Sequence, residues 1–321
     1  MAFVEIKNLK KYFPTPSGVL HAVDDVTMSI EKGTTLGVVG ESGCGKSTLG
    51  KCIMKLHEPT SGQMLFDGVD IAPMDRNEFK AYRSKIQMIF QDPYASLDPR
   101  MSIRNLIAEP LMVSGGMRDK NAINKRVDEL MDLVGLARRL SNSYPHELDG
   151  GRRQRIGIAR ALSLNPEFIV CDEPVSALDV SIQAQVLNLL QDLQKDMNLT
   201  YIFITHDMSV VKHISDDIAV MYLGQVIEKC NAKELFMNTL HPYSKALLSA
   251  IPVPSIHVER NSIQLKGELS SPINPKPCCR FAKRCPYATD DCFATEPALK
   301  EVRPGHFVAC HKISDNGTIN Y

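Results

Sequence analysis

At 321 residues the chain is long enough to bury a large core and more than one domain. Its 37 Lys and Arg equal its 37 Asp and Glu, so no overall field points to nucleic acid or to an anionic membrane surface. No apolar run approaches the roughly 18 residues needed to span a bilayer, and Glu5, Lys7, Lys10 and Lys11 break the N-terminus where a secretory signal would be apolar. The expected place is the cytosol, or a membrane reached only through a partner.

Ala2 to Leu9 and Val26 to Ile30 read as strands on either side of a turn region at Pro14 to Gly18. Leu36-Gly37-Val38-Val39 reads as a buried strand, and Thr48 to Met54 as the start of a helix. Between them Gly40-Glu41-Ser42-Gly43-Cys44-Gly45-Lys46-Ser47 spells G-x-x-x-x-G-K-S, a phosphate-binding loop. Its glycines let successive backbone N–H groups converge on one anion, and the following helix adds its positive end. Gly40, Ser42, Gly43, Cys44, Gly45 and Thr48 are therefore candidate phosphate-binding residues. Lys46 would reach the β- and γ-phosphates, and the Ser47 hydroxyl would take one Mg²⁺ position.

Further on, Lys85 to Phe90 reads as a strand closed by Gln91, whose amide suits a Mg²⁺ or water ligand. Residues 92–151 carry few strand signals and a helical stretch at Asn121–Leu133, so they are expected to form an inserted helical subdomain. A helix follows at Arg152–Leu164, then an apolar strand, Phe168 to Cys171, ending in Asp172 and Glu173. Asp172 is placed to order Mg²⁺, and Glu173 to polarise an attacking water as general base. Ile182–Met197 reads as a helix and Tyr201–Thr205 as a strand that ends at His206, at the edge where ligands of open α/β sheets collect. Strand–helix alternation around a phosphate loop predicts an α/β P-loop NTPase core with a mostly parallel sheet.

Beyond about Lys233 prolines recur at 242, 252, 254, 272, 275, 277 and 286, which predicts an irregular tail held by something other than a hydrophobic core. Five of the nine cysteines lie there: Cys278, Cys279, Cys285, Cys292 and Cys310. Reduced thiols clustered in this way suggest metal before disulfides. Cys279, Cys285, Cys292 and Cys310, with Cys278 as the spare and His306 and His311 flanking the last, suit either tetrahedral zinc or a [4Fe–4S] cluster.

The phosphate loop, Gln91, Leu148-Asp149-Gly150-Gly151-Arg152, Phe168 to Glu173, Ser176-Ala177-Leu178-Asp179 and His206 occur in that order. Together they resemble the nucleotide-binding domain of ATP-binding cassette (ABC) transporters across most of residues 3–230. Glu58-Pro59-Thr60-Ser61-Gly62, the run Gln154 to Leu162, His241-Pro242-Tyr243 and the Cys-rich tail look like the ATPase subunits of oligopeptide/dipeptide permeases. The resemblance implies a nucleotide-binding domain over 1–232 and a C-terminal extension over 233–321. It also implies a head-to-tail dimer with two ATP molecules between protomers, each phosphate loop facing the partner's signature motif. Gln91 would sense the γ-phosphate, Asp179 would link the two sites, and Phe13, rather than Tyr12, would stack on adenine. The segment Asp92 to Leu97 would face the permease. For the cysteines the resemblance favours [4Fe–4S] over zinc.

Implied partners are two transmembrane permease subunits, an extracytoplasmic solute-binding protein and a second ATPase. No nucleic acid is implied, and the chain would sit peripherally on the cytoplasmic face of the membrane. The solute would be an oligopeptide or dipeptide; nickel or another small solute, or a soluble ABC ATPase outside transport, are the alternatives. One departure stands out: the usual signature L-S-G-G-Q has Asp149 in place of Ser and Arg152 in place of Gln. Loss of the serine's hydrogen bond to the partner-held γ-phosphate would cost about 1.5–3 kcal/mol. Alternatively Asp149 caps the following helix and Arg152 or Arg153 supplies the missing positive charge. A weakened signature favours a sister ATPase over an identical one.

Overall fold

A computed structural model describes residues 2–92, 94–114, 116–251, 263, 265, 267, 271–314 and 316–319. Pro93, Pro252 and Pro254 lie outside the described residues. The chain divides into two compact units, one of Met1–Ile30, Thr35–Ala72 and Thr205–Tyr321, the other of Glu31–Thr34 and Pro73–Ile204.

The first unit opens with an antiparallel sheet whose order is Gly18–Ile30, Val4–Thr15, Ser61–Phe66, Val69–Asp70. Alternation sets its buried face: Val26, Met28 and Ile30 are buried while Asp25, Thr27 and Ser29 are exposed. Both hairpin strands run longer than the sequence predicts. Register shifts between Ile6, Leu9, Lys11 and Tyr12, with Asn8 at φ 47°, interrupt the period of two on which a strand is recognised.

A second sheet of this unit runs Lys300–Arg303, His306–Val308, Gln225–Asn231, Asp217–Tyr222, Thr35–Val39. Thr35–Val39 pairs in parallel with Asp217–Tyr222, Val38 opposite Ala219, and the other pairs are antiparallel. All five residues of Thr35–Val39 are buried, as the unbroken apolar run requires. The strand ends where the phosphate loop begins, and the helix Lys46–Ile53 leaves it.

The expectation of a tail without a hydrophobic core is corrected here. Glu228 pairs with Val308, so tail strands extend the sheet. Leu240, Val302, Val308 and Ile313 form one buried cluster, and Tyr243 and Phe281 join another with Tyr222, Val220 and Leu235. Tail apolar residues arrive singly, between prolines, so neither a helical nor a strand period shows in sequence although the side chains are buried.

In the second unit Ile86–Ile89, Phe168–Asp172 and Thr200–Thr205 form parallel pairs, with Val170 opposite Met88 and Ile202. Helices Ile103–Val113, Lys120–Leu133, Gly150–Leu162 and Val180–Met197 start at Ser102, Asp119, Asp149 and Asp179, each accepting a backbone N–H from the first turn. Ile103–Val113 escaped the sequence reading; Pro110 lies inside it, where helices are rarely expected to continue.

Candidate functional site

The phosphate loop has the backbone its motif demands. Gly40 lies at φ +155° and Gly45 at φ +107°, conformations that L side chains rarely adopt. A Cβ at Gly45 would stand 2.1 Å from the Ala22 carbonyl oxygen, and one at Gly40 would stand 2.2 Å from that of Met221. Larger residues at either position would push the loop off the strands beneath it. Lys46 is buried, and its Nζ donates to the carbonyls of Gly40 at 2.8 Å and Glu41 at 3.0 Å. Ser47 and Thr48 begin the helix beside it, partly buried, while Ser42 and Gly43 are exposed at the loop's tip. Cys44 is buried against this lysine; burial pushes its thiol up, and the Lys46 charge pulls the other way.

Phe13 is partly buried, edge-on to His57 at 5.4 Å between ring centres, with Lys11 Nζ 4.8 Å from its own. Tyr12 is engaged elsewhere: its ring stacks on His21 at 3.9 Å, and its hydroxyl donates to Asp24. Burial pushes the Asp24 carboxyl up, but hydrogen bonds from Tyr12, His21 and Arg280 outweigh it and hold Asp24 below the usual range. His206, in the same unit, is exposed just beyond the strand Thr200–Thr205.

In the second unit the structure joins Gln91 to Glu173: Gln91 Nε2 donates to Glu173 Oε2 at 2.9 Å. Asp172 and Glu173 are both buried. Glu173 has φ 46°, a left-handed conformation that costs a non-glycine residue about 1 kcal/mol or more and is commonest where function fixes it. Its N–H donates to the Ile204 carbonyl at 2.9 Å, and its own carbonyl accepts from Ser176 Oγ at 3.1 Å, so the turn is held from both sides.

Asp149 is the N-cap of the helix Gly150–Leu162: its Oδ1 accepts from Arg152 N at 2.8 Å, and Arg152 Nε stands 3.4 Å from Oδ2. The carboxylate thus does a cap's work and carries its own counter-charge. Gly151 is a close-packing position, since a Cβ there would meet Ile182 at 2.5 Å; one on Gly150 would meet Leu178 at 3.1 Å. Asp179 caps the next helix, accepting from Ser181 Oγ at 2.7 Å and Ile182 N at 3.0 Å, and these bonds hold its carboxyl below the ordinary value.

Cys279, Cys285, Cys292 and Cys310 are free thiols within electrostatic reach of one another, and Cys279 N donates to the Cys292 carbonyl at 3.0 Å. Burial pushes the Cys279 thiol up to about 12 and Cys310 up to about 11. Among the described residues no group of three or more His, Cys, Asp or Glu is arranged to hold a metal ion. His306 is turned elsewhere, its Nε2 2.8 Å from the buried Glu228, and His311 Nε2 lies 3.1 Å from the Thr295 carbonyl.

No sequence motif assigns a role to Glu41 or Arg284. Arg284 Nη1 and Nη2 donate to the two Glu41 carboxylate oxygens at 2.6 and 2.9 Å, and the Glu41 N–H donates to Tyr243 Oη at 2.8 Å. The only sequence signal for this contact was His241-Pro242-Tyr243, which spacing alone could not tie to a loop 202 positions away.

Comparison with known proteins identifies the family. The family described as ABC transporter matches residues 23–176, and the family described as oligopeptide/dipeptide transporter, C-terminal region, matches residues 227–292. The oligopeptide transport ATP-binding protein AppF of Bacillus subtilis (strain 168) is 53% identical over 97% of this chain and 97% of its own length. The oligopeptide transport ATP-binding protein OppF of Escherichia coli (strain K12) is 53% identical over 96% of this chain and 93% of its own. Among solved structures, the dimeric ATP-binding cassette MJ0796 in a post-hydrolysis state bound to ADP and Pi superposes with a TM-score of 0.66 at 30% identity, covering 71% of this chain and 98% of that one. The chain belongs to the ATP-binding proteins of oligopeptide/dipeptide ABC transporters.

Proposed function

We propose that this chain hydrolyses ATP to drive import of oligopeptides or dipeptides through partner transmembrane permease subunits. The observation that carries it is the pairing of Gln91 with Glu173, in a chain whose phosphate loop keeps Lys46 buried and folded back on its own carbonyls. In this function Lys46 and the loop N–H groups bind the triphosphate. Ser47, Asp172 and Gln91 hold Mg²⁺, which neutralises phosphate charge when bound. Glu173 takes the proton of the attacking water, Gln91 orients it, and His206 contacts the γ-phosphate. Phe13 presents its ring to adenine, a role supported by the commitment of Tyr12 to His21 and Asp24.

The second protomer is a sister ATPase: Asp149, Gly150 and Gly151 of this chain's signature face the sister's phosphate loop, and Asp179 links the two sites. Asp149 supports unequal sites, because an ionised carboxylate has no proton to donate to a partner-held γ-phosphate and adds a like charge. This chain's own phosphate loop, with Glu173, forms the competent site opposite an intact partner signature. No helix among the described residues is long and apolar enough to cross a membrane; two permease subunits supply the path, a solute-binding protein delivers the peptide, and this chain works on the cytoplasmic face. Residues 1–232 act as the nucleotide-binding domain, with a helical subdomain at about 92–151, and 233–321 as the extension. Cys279, Cys285, Cys292 and Cys310 hold a [4Fe–4S] cluster, a reading that rests on four free thiols within electrostatic reach of one another.

Reconstituting the assembled transporter with its solute-binding protein tests the function. Peptide uptake and phosphate release should rise together with ATP, and uptake should vanish with Lys46→Ala. Peptide uptake untouched by Lys46→Ala would overturn it, and nickel uptake in place of peptide uptake would favour the alternative solute.

A further inference from the structure

Glu41 places a carboxylate inside a loop whose purpose is to receive a polyanion. Left bare, that charge would repel a triphosphate. Arg284 answers it with a two-pronged fork, at 2.6 and 2.9 Å, from a side chain only 9% exposed. The fork is held from below: the Arg284 guanidinium lies 5.9 Å from the Tyr222 ring centre, and the residue's backbone N–H donates to the Phe281 carbonyl at 2.9 Å. Phe281 is packed edge-on against Tyr222 at 5.3 Å and Tyr243 at 5.5 Å, and all three rings are buried. From the same cluster Tyr243 Oη takes the Glu41 N–H at 2.8 Å. Both the side chain and the backbone of Glu41 are therefore fixed by residues of the C-terminal segment.

The contact matters because of where Lys46 stands. Its Nζ now donates to the Gly40 and Glu41 carbonyls. When it turns to a nucleotide's phosphates the loop loses those bonds, and Arg284 and Tyr243 are left to keep Glu41 in place. We propose that Arg284, seconded by Tyr243, is a positioning residue of the ATP site: it neutralises Glu41 and braces the phosphate loop, so that the cysteine-bearing segment sets the affinity of the loop for Mg–ATP. This rests on the loop at 40–47 being the ATP site, and the test separates the two.

The measurement is equilibrium binding of Mg–ATP to the assembled ATPase pair carrying Glu173→Gln to stop turnover. Arg284→Ala should raise Kd about tenfold, as expected for an uncompensated, partly buried carboxylate facing phosphate. Adding Glu41→Gln removes the repelling charge and should bring Kd back to within about threefold of the parent. With Glu173 restored, Arg284→Ala should raise KM while kcat changes less than about twofold. If Arg284→Ala does not assemble, Arg284→Lys keeps the charge without the fork and should raise Kd about threefold. A Kd within twofold of the parent for the variant measured, or no rescue by Glu41→Gln, overturns the positioning role. Undiminished binding by Lys46→Ala would instead overturn the assignment of the loop.

Discussion

The Glu173 carboxylate is set by three things at once: a left-handed backbone at φ 46°, a position at the end of a buried parallel strand, and the Gln91 amide 2.9 Å away. Removing its charge while keeping its shape should isolate its chemistry. Glu173→Gln is expected to lower steady-state phosphate release by on the order of 10²–10³-fold, while filter binding of Mg–ATP stays within a few-fold of the parent. Near-normal release would take the base assignment away from Glu173. At Asp149 the carboxylate has a folding role whatever it does to the ATP site, since Oδ1 caps the helix Gly150–Leu162 and Arg152 Nε stands 3.4 Å from Oδ2. Asp149→Ala should destabilise the chain by about 1 kcal/mol in urea unfolding, whereas Asp149→Ser, an equally good cap, should cost a few tenths or less. Equal costs for the two would mean the cap is not what Asp149 contributes to folding.

At the scale of elements, the helix Pro242–Ser249 and its neighbours hold a buried polar core. His241 caps that helix through Nδ1, accepting from Tyr243 N at 3.1 Å; its own N–H and that of Leu240 donate to Glu228, which also faces His306. Burial lowers the His241 pKa to about 4, with Glu228 pulling it back up. A protonated ring could not accept from Tyr243. Because the folded pKa lies below the unfolded value near 6.5, the unfolded chain binds more protons between the two. Stability should therefore fall as pH drops from about 6.5 towards 4, by on the order of 3 kcal/mol for this group. His241→Asn, which can still cap, should flatten that part of the stability–pH curve; an unchanged slope would assign it to other groups. The same segment shows where sequence legibility ended. The left-handed turn at Gly45 and the placing of Asp172, Glu173 and Gln91 at strand ends were readable because a phosphate-loop motif and an apolar run ending in polar residues fix them by spacing. The strand core at Thr35–Val39 and Phe168–Asp172 was readable because buried parallel strands leave unbroken apolar runs. Arg284, Glu41 and Tyr243 were not, because an ion pair 243 positions apart leaves no local period, and Arg and Glu are ordinary surface residues until a fold buries them.

For the molecule as a whole, the C-terminal segment is where the oligopeptide/dipeptide transporter match falls, at residues 227–292, apart from the ABC transporter match at residues 23–176. That segment supplies tail strands, an aromatic cluster under the phosphate loop and four neighbouring thiols. Burial raises the Cys279 and Cys310 thiols to about 12 and about 11, so a metal group bound there would have to displace their protons and its binding should weaken as pH falls. Anaerobic purification is expected to give absorbance near 400 nm with iron in excess of zinc, lost with Cys285→Ser; zinc without that absorbance would replace the cluster assignment.

The central claim is that the triphosphate chemistry of this chain powers peptide movement by partners. It is tested most directly by peptide-dependent ATP hydrolysis of the complete transporter in proteoliposomes, compared between the native chain and Glu173→Gln. Peptide with its binding protein should stimulate hydrolysis and uptake in the native assembly, and both should collapse in the variant. Uptake that continues without hydrolysis by this chain would contradict the account.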